Sequence, residues 1–143
     1  MLKGISKIIP PELLKILMEM GHGDEIVIGD GNFPAASCAV NSRLVRCDGH
    51  GVPELLDAIL ALFPLDSYVE KPIALMNTTN GDPTPEIWAV YEEIAARHEP
   101  DHHQFELVER FEFYERAKKA YAIVSSGESA IYANIILKKG VIK

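Results

Sequence analysis

The chain has little cysteine, no surplus of positive charge and no long apolar run, and each shortage closes off a class of function. Cys38 and Cys47 are the two cysteines in 143 residues, and neither belongs to a CxxC pair or stands beside a histidine at zinc-ligand spacing. Both read as reduced, small, partly buried residues, and no metal site is expected. Acidic residues outnumber basic ones by 21 to 14, a net charge of -7, and Lys and Arg form no stripe that could neutralise phosphates. Nucleic acid is therefore not an expected partner. No segment approaches the length of a membrane span, and "MLKGISKIIPPELLK" holds no apolar stretch of signal-peptide length, so the expectation is a cytoplasmic protein with no membrane partner. GxGxxG, the Walker loop, the GxSxG elbow and HExxH are all missing, which removes the nucleotide, hydrolase-triad and zincin readings that a short motif could support.

What remains is an ordinary globular composition with a clear alternation of helical and extended patterns. "PPELLKILMEMG" reads as a helix that opens on proline, closes at Gly21 and gathers Leu13, Leu14, Leu17 and Met18 on one face. "EIVIGD" is a short β-branched run ended by the turn residues "DGNFP", and "RLVRC" is a second strand candidate. "GHGVPELLDAILALFP" repeats the glycine-proline-helix pattern, with Leu55, Leu56, Ile59, Leu60 and Phe63 at helical spacing. "KPIALMN" and "FELVER" read as strands around a helix in "TPEIWAVYEEIAARH", whose inner side carries Trp88, Tyr91, Ile94 and Ala95. A short charged helix in "FYERAKKA", a strand in "YAIVSSGE" and a final strand in "YANIILKKGVI" complete the series. Such alternation predicts an α/β fold, three αβα layers around a mostly parallel or mixed sheet. With no linker or repeat in view, residues 1–143 are expected to form one domain.

In open α/β sheets the ligand crevice forms at the loops beyond strand ends, and those loops hold His22, Asp30, Asn32, Arg110 and the Tyr132–Asn134 segment. His22 lies between Gly21 and Gly23, so its imidazole is expected to have little side-chain cover and to be open to a ligand; a surface histidine or a helix-capping partner is the alternative. Asp30 reads either as a site carboxylate or as a turn former. A strand of about five residues, roughly 17 Å long, separates the two, so in one chain they belong at opposite ends; if both serve one site, either the strand is shorter than it looks or, as the preferred reading, the site is shared between subunits. Tyr132 and Asn134 stand two apart in the final strand and hence are expected on the same face of it, with core or edge packing as the other use. His50 in "DGHGV" is a reserve candidate, and His102 and His103 in "PDHHQ" are expected at the surface. Histidine, carboxylate, arginine, tyrosine and asparagine together suit a polyhydroxylated, uncharged ligand.

"ISKIIPPELLKILMEMGHGDEIVIGDGNFP", "RFEFYERAKKAYAIVSSGE" and "YANIILKKGV" resemble, in order and spacing, the RbsD/FucU family of sugar mutarotases and pyranases from end to end. The likeness is nearer to the L-fucose mutarotase branch, through "RFEFYERA" with Arg110; Gly31 departs from the alanine common in the family and is expected to loosen its turn. The resemblance implies an RbsD-like fold and cofactor-free exchange of sugar anomers. It further implies His22 as proton donor, and Asp30, Arg110, Tyr132, Ala133 and Asn134 as sugar-binding residues. It also implies a homodecamer of two stacked pentameric rings, with a monosaccharide, fucose or a related sugar such as ribose, between adjacent subunits. Phe111 or Tyr121 could supply an apolar wall for the sugar, core packing being the other use of each. The competing readings are a D-ribose pyranase, a mutarotase of another monosaccharide, and a non-catalytic sugar-binding or transport-accessory protein.

Overall fold

The computed structural model describes residues 1–143. Six strands form one mixed sheet, β1 (Glu25–Gly29), β2 (Arg43–Cys47), β3 (Ile73–Met76), β4 (Phe105–Val108), β5 (Ala122–Ser126) and β6 (Ile135–Lys138), in the spatial order β2-β5-β1-β6-β3-β4. β1, β2 and β5 run parallel, as do β3 and β4, while β6 is antiparallel to both its neighbours β1 and β3. Five strands therefore point one way, and the start of β6 lies among their C-terminal ends.

The strand sequences are apolar almost throughout because both faces of the sheet are covered. Ile26, Ile28, Ile73, Leu75, Val124, Ile135 and Leu137 point into a large core with α1 (Pro11–Glu19), α3 (Val52–Leu60) and α4 (Ile87–His98). The intervening Val27, Ala74, Met76, Ile123 and Ile136 point into a smaller core with α2 (Ala35–Cys38) and α5 (Arg110–Lys118). This period-two division is the origin of the three layers. Cys47 lies in the first core and Cys38 in the second, both buried and unpaired. No helix is long and apolar enough to cross a membrane.

Several local expectations are corrected. Met18 is 81% exposed, and Ile16 instead joins Leu13 and Leu17 on the buried face of α1, because positions i, i+3 and i+4 share one stripe of the helix and Met18, at i+5 from Leu13, lies off it. The four-residue α2, too short to show a helical period, follows the Phe33–Pro34 turn. α5 begins at Arg110, three residues ahead of "FYERA", where the Glu109 carboxylate caps it by accepting from the amides of Phe111 and Glu112. Residues 132–134 precede β6 instead of belonging to it, and Tyr132 has a left-handed backbone, φ +55°, so it and Asn134 do not share a strand face.

Candidate active site

Asp30 stands just past β1 and is 5% exposed. Its Oδ1 accepts from the Asn32 amide at 2.9 Å and its Oδ2 from the Ala133 amide at 3.4 Å, while its own amide donates to Asn134 Oδ1 at 2.8 Å. The β1 turn and the segment before β6 are thus laced together through one carboxylate. The Asn134 amide nitrogen then reaches the sulfur of Met76 at 3.8 Å, at the end of β3. Burial pushes the Asp30 carboxyl above its ordinary value against the pull of the Asn32, Ala133 and Phe33 amides, and nearby Glu128 adds to the rise. Gly31 does not loosen this turn: its amide donates to the Glu128 carbonyl at 2.8 Å.

Around this knot lies an open cleft of about 180 Å³ lined by Asp30, Asn32, Phe33, Met76, Arg110, Tyr114, Ile131, Tyr132 and Asn134. It sits beside the C-terminal ends of the parallel strands, between β1, whose connection runs to one side of the sheet, and β3, whose connection runs to the other. Arg110 and Tyr114, four apart on α5, project from one face of that helix. A larger hollow of about 410 Å³ flanks the same turn, but its two charges, Arg46 and Asp48, already neutralise each other at 2.9 Å. The smaller cleft is the better acceptor of a polyol, because its carboxylate, guanidinium, phenol and amides converge.

His22 is at the other end of the sheet, before β1 begins, where Gly23, at φ +87°, donates its amide to the Lys139 carbonyl beyond the end of β6. The imidazole is not bare. Its Nε2 is 3.0 Å from Asp66 Oδ1, and its ring lies 5.2 Å from the Tyr68 ring, leaving the side chain 44% exposed. Asp66 is buried; burial acts to raise its pKa, but the Tyr68 amide and His22 outweigh that and hold the carboxyl below its ordinary value. An ionised carboxylate only accepts, so Nε2 carries the hydrogen in this contact, and in the neutral ring the lone pair is then on Nδ1.

A single chain therefore brings Asp30, Arg110, Tyr132, Ala133 and Asn134 together and leaves His22 apart from them. Two residues join the set that sequence reading passed over. Tyr114 was legible in principle, four residues after Arg110 within a helical pattern. Asp66 carried only a local turn signal, its carboxylate accepting from the amide two residues on, while its tie to His22 spans 44 positions. The apolar wall comes from Phe33, Met76 and Tyr114. Phe111 is 62% exposed, beneath the Arg110 guanidinium, whereas Tyr121 is half-buried against the large core, lies under Arg43 and donates to Glu19; neither lines the cleft. His50 is paired with Glu54, His102 is exposed, and His103 contacts the Glu99 carbonyl. No three His, Cys, Asp or Glu side chains converge as metal ligands.

The model of the RbsD / FucU transport protein family matches residues 3–142. The chain belongs to this family. Within the RbsD/FucU family it is 50% identical over 147 residues to the fucose mutarotase of Homo sapiens, covering 99% of this chain and 94% of that one. It is 51% identical over 142 residues to an L-fucose mutarotase of Actinobacillus pleuropneumoniae, covering 99% and 97%. A fucose mutarotase from Streptococcus pneumoniae, solved in complex with L-fucose, superposes with a TM-score of 0.94 at 57% identity, covering 99% of this chain and all of that one.

Proposed function

We propose that this protein is an isomerase that interconverts the α and β anomers of L-fucose. Likeness over nearly the whole chain to fucose mutarotases, one of them solved with L-fucose, carries this reading. The cleft supplies what the chemistry asks for. Mutarotation removes the proton of the anomeric hydroxyl and protonates the ring oxygen as the C1–O5 bond breaks. The open-chain aldehyde then rotates about C1–C2, and closure on its other face returns both protons. Only protons move, so a base and an acid suffice.

His22 is the proton-transfer residue of this reading, with Nδ1 facing the sugar and Asp66 holding Nε2. Asp30 accepts from a sugar hydroxyl and, with its pKa raised, can carry a proton in its own right. Arg110 forks onto neighbouring hydroxyls, Tyr114 and the ring of Tyr132 wall the sugar, and Asn134 donates from its amide. Ala133 contributes the backbone amide that orients Asp30. Because His22 and Asp30 lie at opposite ends of one sheet, a working site joins His22 of one subunit to the cleft of the next. Two stacked pentameric rings are the assembly that the family resemblance supports. Two unpaired cysteines accord with the reducing cytoplasm as its place of work.

NMR saturation transfer between the anomers of fucose, ribose, galactose and glucose tests the reading. Fucose exchange should be fastest, and His22→Ala should cut it by about 10²-fold or more while leaving a folded protein. Faster exchange of ribose would move the chain to the pyranase activity. Exchange untouched in His22→Ala would leave a sugar-binding protein without catalytic duty.

A further inference from the structure

The loop between β3 and α4 holds a device that the proposed mechanism does not use. Thr79-Asn80-Gly81-Asp82 is a four-residue turn closed by the Asp82 amide on the Thr79 carbonyl at 3.0 Å. Its central residues, Asn80 at φ +57° and Gly81 at φ +72°, both adopt the left-handed region, which is the signature of a primed turn and the reason Asn-Gly stands there. Such a turn sets its first and fourth residues side by side. Here both reach one atom. The Tyr132 hydroxyl donates to Asp82 Oδ2 at 2.5 Å and accepts from the Thr79 amide at 3.2 Å, with Thr79 Oγ1 at 3.0 Å.

That hydroxyl is saturated, its one hydrogen committed to a carboxylate and its lone pairs to Thr79. The backbone beneath it is held as well. Trp88 Nε1 donates to the Tyr132 carbonyl at 2.8 Å and the Tyr91 hydroxyl to the Ala133 carbonyl at 2.7 Å, both from α4. Tyr132 and Asn80 are the two non-glycine residues with positive φ, one carrying the hydroxyl and the other lying within the turn that holds it. A tyrosine in the left-handed region needs its surroundings to keep it there.

We propose that Thr79 and Asp82 are positioning residues for sugar binding, acting through the Tyr132 hydroxyl. The turn clasps that hydroxyl, the clasp holds the backbone of residues 132–134, and this backbone presents the Ala133 amide and the Asn134 side chain to Asp30. The proposal rests on the mutarotase reading for its kinetic consequence but not for its structural one.

Asp82→Ala, Asp82→Asn, Tyr132→Phe and the double variant Asp82→Ala/Tyr132→Phe, in the full chain, test it. Asp82→Ala and Tyr132→Phe should each lower kcat/KM for L-fucose anomer exchange by about tenfold, mainly through KM, as expected when a binding segment shifts by a fraction of an ångström. The double variant should be no worse than either single one, since both cut the same contact. Asp82→Asn, whose amide oxygen still accepts from the hydroxyl, should recover most of the loss. Hydrogen exchange at the Ala133 amide should speed up in Asp82→Ala and Tyr132→Phe alike. Losses that multiply in the double variant, or wild-type KM and amide protection in Asp82→Ala, would overturn the clasp. If the unmodified protein exchanges no fucose anomers, the mutarotase reading falls and the amide measurement alone decides: faster exchange in both variants supports the clasp, unchanged exchange removes it.

Discussion

His22 and Asp66 form a pair in which one member faces solvent and the other is buried, and the buried one governs how the pair responds to acid. The carboxyl of Asp66 is depressed in the folded chain relative to its ordinary 3.8. A depressed carboxyl contributes stability that is fully present above its unfolded value and is lost as pH falls through the folded one. Melting curves taken from neutral pH down through 3.8 should therefore show a loss of stability in the native protein that Asp66→Asn lacks. The same substitution trades an acceptor for an amide that can also donate, so the imidazole loses its fixed tautomer. Anomer exchange should drop about 10–100-fold without loss of the fold, measured by saturation transfer beside a thermal melt. Asp30 has the opposite sign: its raised carboxyl favours the fold at low pH and opposes it as pH rises through the raised value. Local signals made His22 and Asp30 legible in the sequence, one by its flanking glycines and the other by its turn. Asp66, Thr79 and Asp82 were not, because the partners that give them meaning stand 44, 53 and 50 positions away.

Helix α5 carries both Arg110 and Tyr114 into the cleft, and two residues on it decide where it lies. Phe113 is fully buried in the smaller core with Val27, Phe33, Ala74 and Ile136. Arg116 ties the helix to the sheet through Glu25 of β1 and Glu106 of β4. Phe113→Ala should cost about 3–5 kcal/mol in denaturant unfolding, since a small core has few neighbours able to fill the hole. It should also weaken fucose binding, because the arginine and tyrosine ride on the same turn. At α4, Tyr91→Phe leaves the buried Ala133 carbonyl without its donor, a loss of about 1–3 kcal/mol by the same measurement. Burial holds the Tyr91 phenol above its ordinary range, so it stays a donor at any working pH. All six strands and four of the five helices were readable as alternation of β-branched runs with helical periods. Boundaries were not: "YANIILK" looks continuous as a run, yet the left-handed backbone of Tyr132 and its tie to the β3–α4 loop start the strand only at Ile135. α2 has too few residues to show a period at all.

Across the whole molecule the sheet keeps the histidine at one end of its strands and the cleft at the other, a separation that the length of β1 already foretold. Mixing subunits tests whether neighbouring chains complete each other. Chains bearing His22→Ala and chains bearing Asp30→Asn, each inactive alone, should recover activity when unfolded together and refolded. In a random ring about one quarter of the junctions join an intact histidine to an intact cleft, so about that share of native exchange should return. Sites complete within one chain would return nothing.

The reversed direction of β6 gives this division a further use. Its first residues enter beside Asp30, just past β1, while its last residues leave beside the loop of the histidine. On the proposed mechanism, redesign for a different monosaccharide can therefore start at the rim around residues 77–82 and 131–134, leaving the loop of His22 unchanged. Sugar preference and the histidine's share of proton transfer would then be tuned at opposite ends of one small sheet.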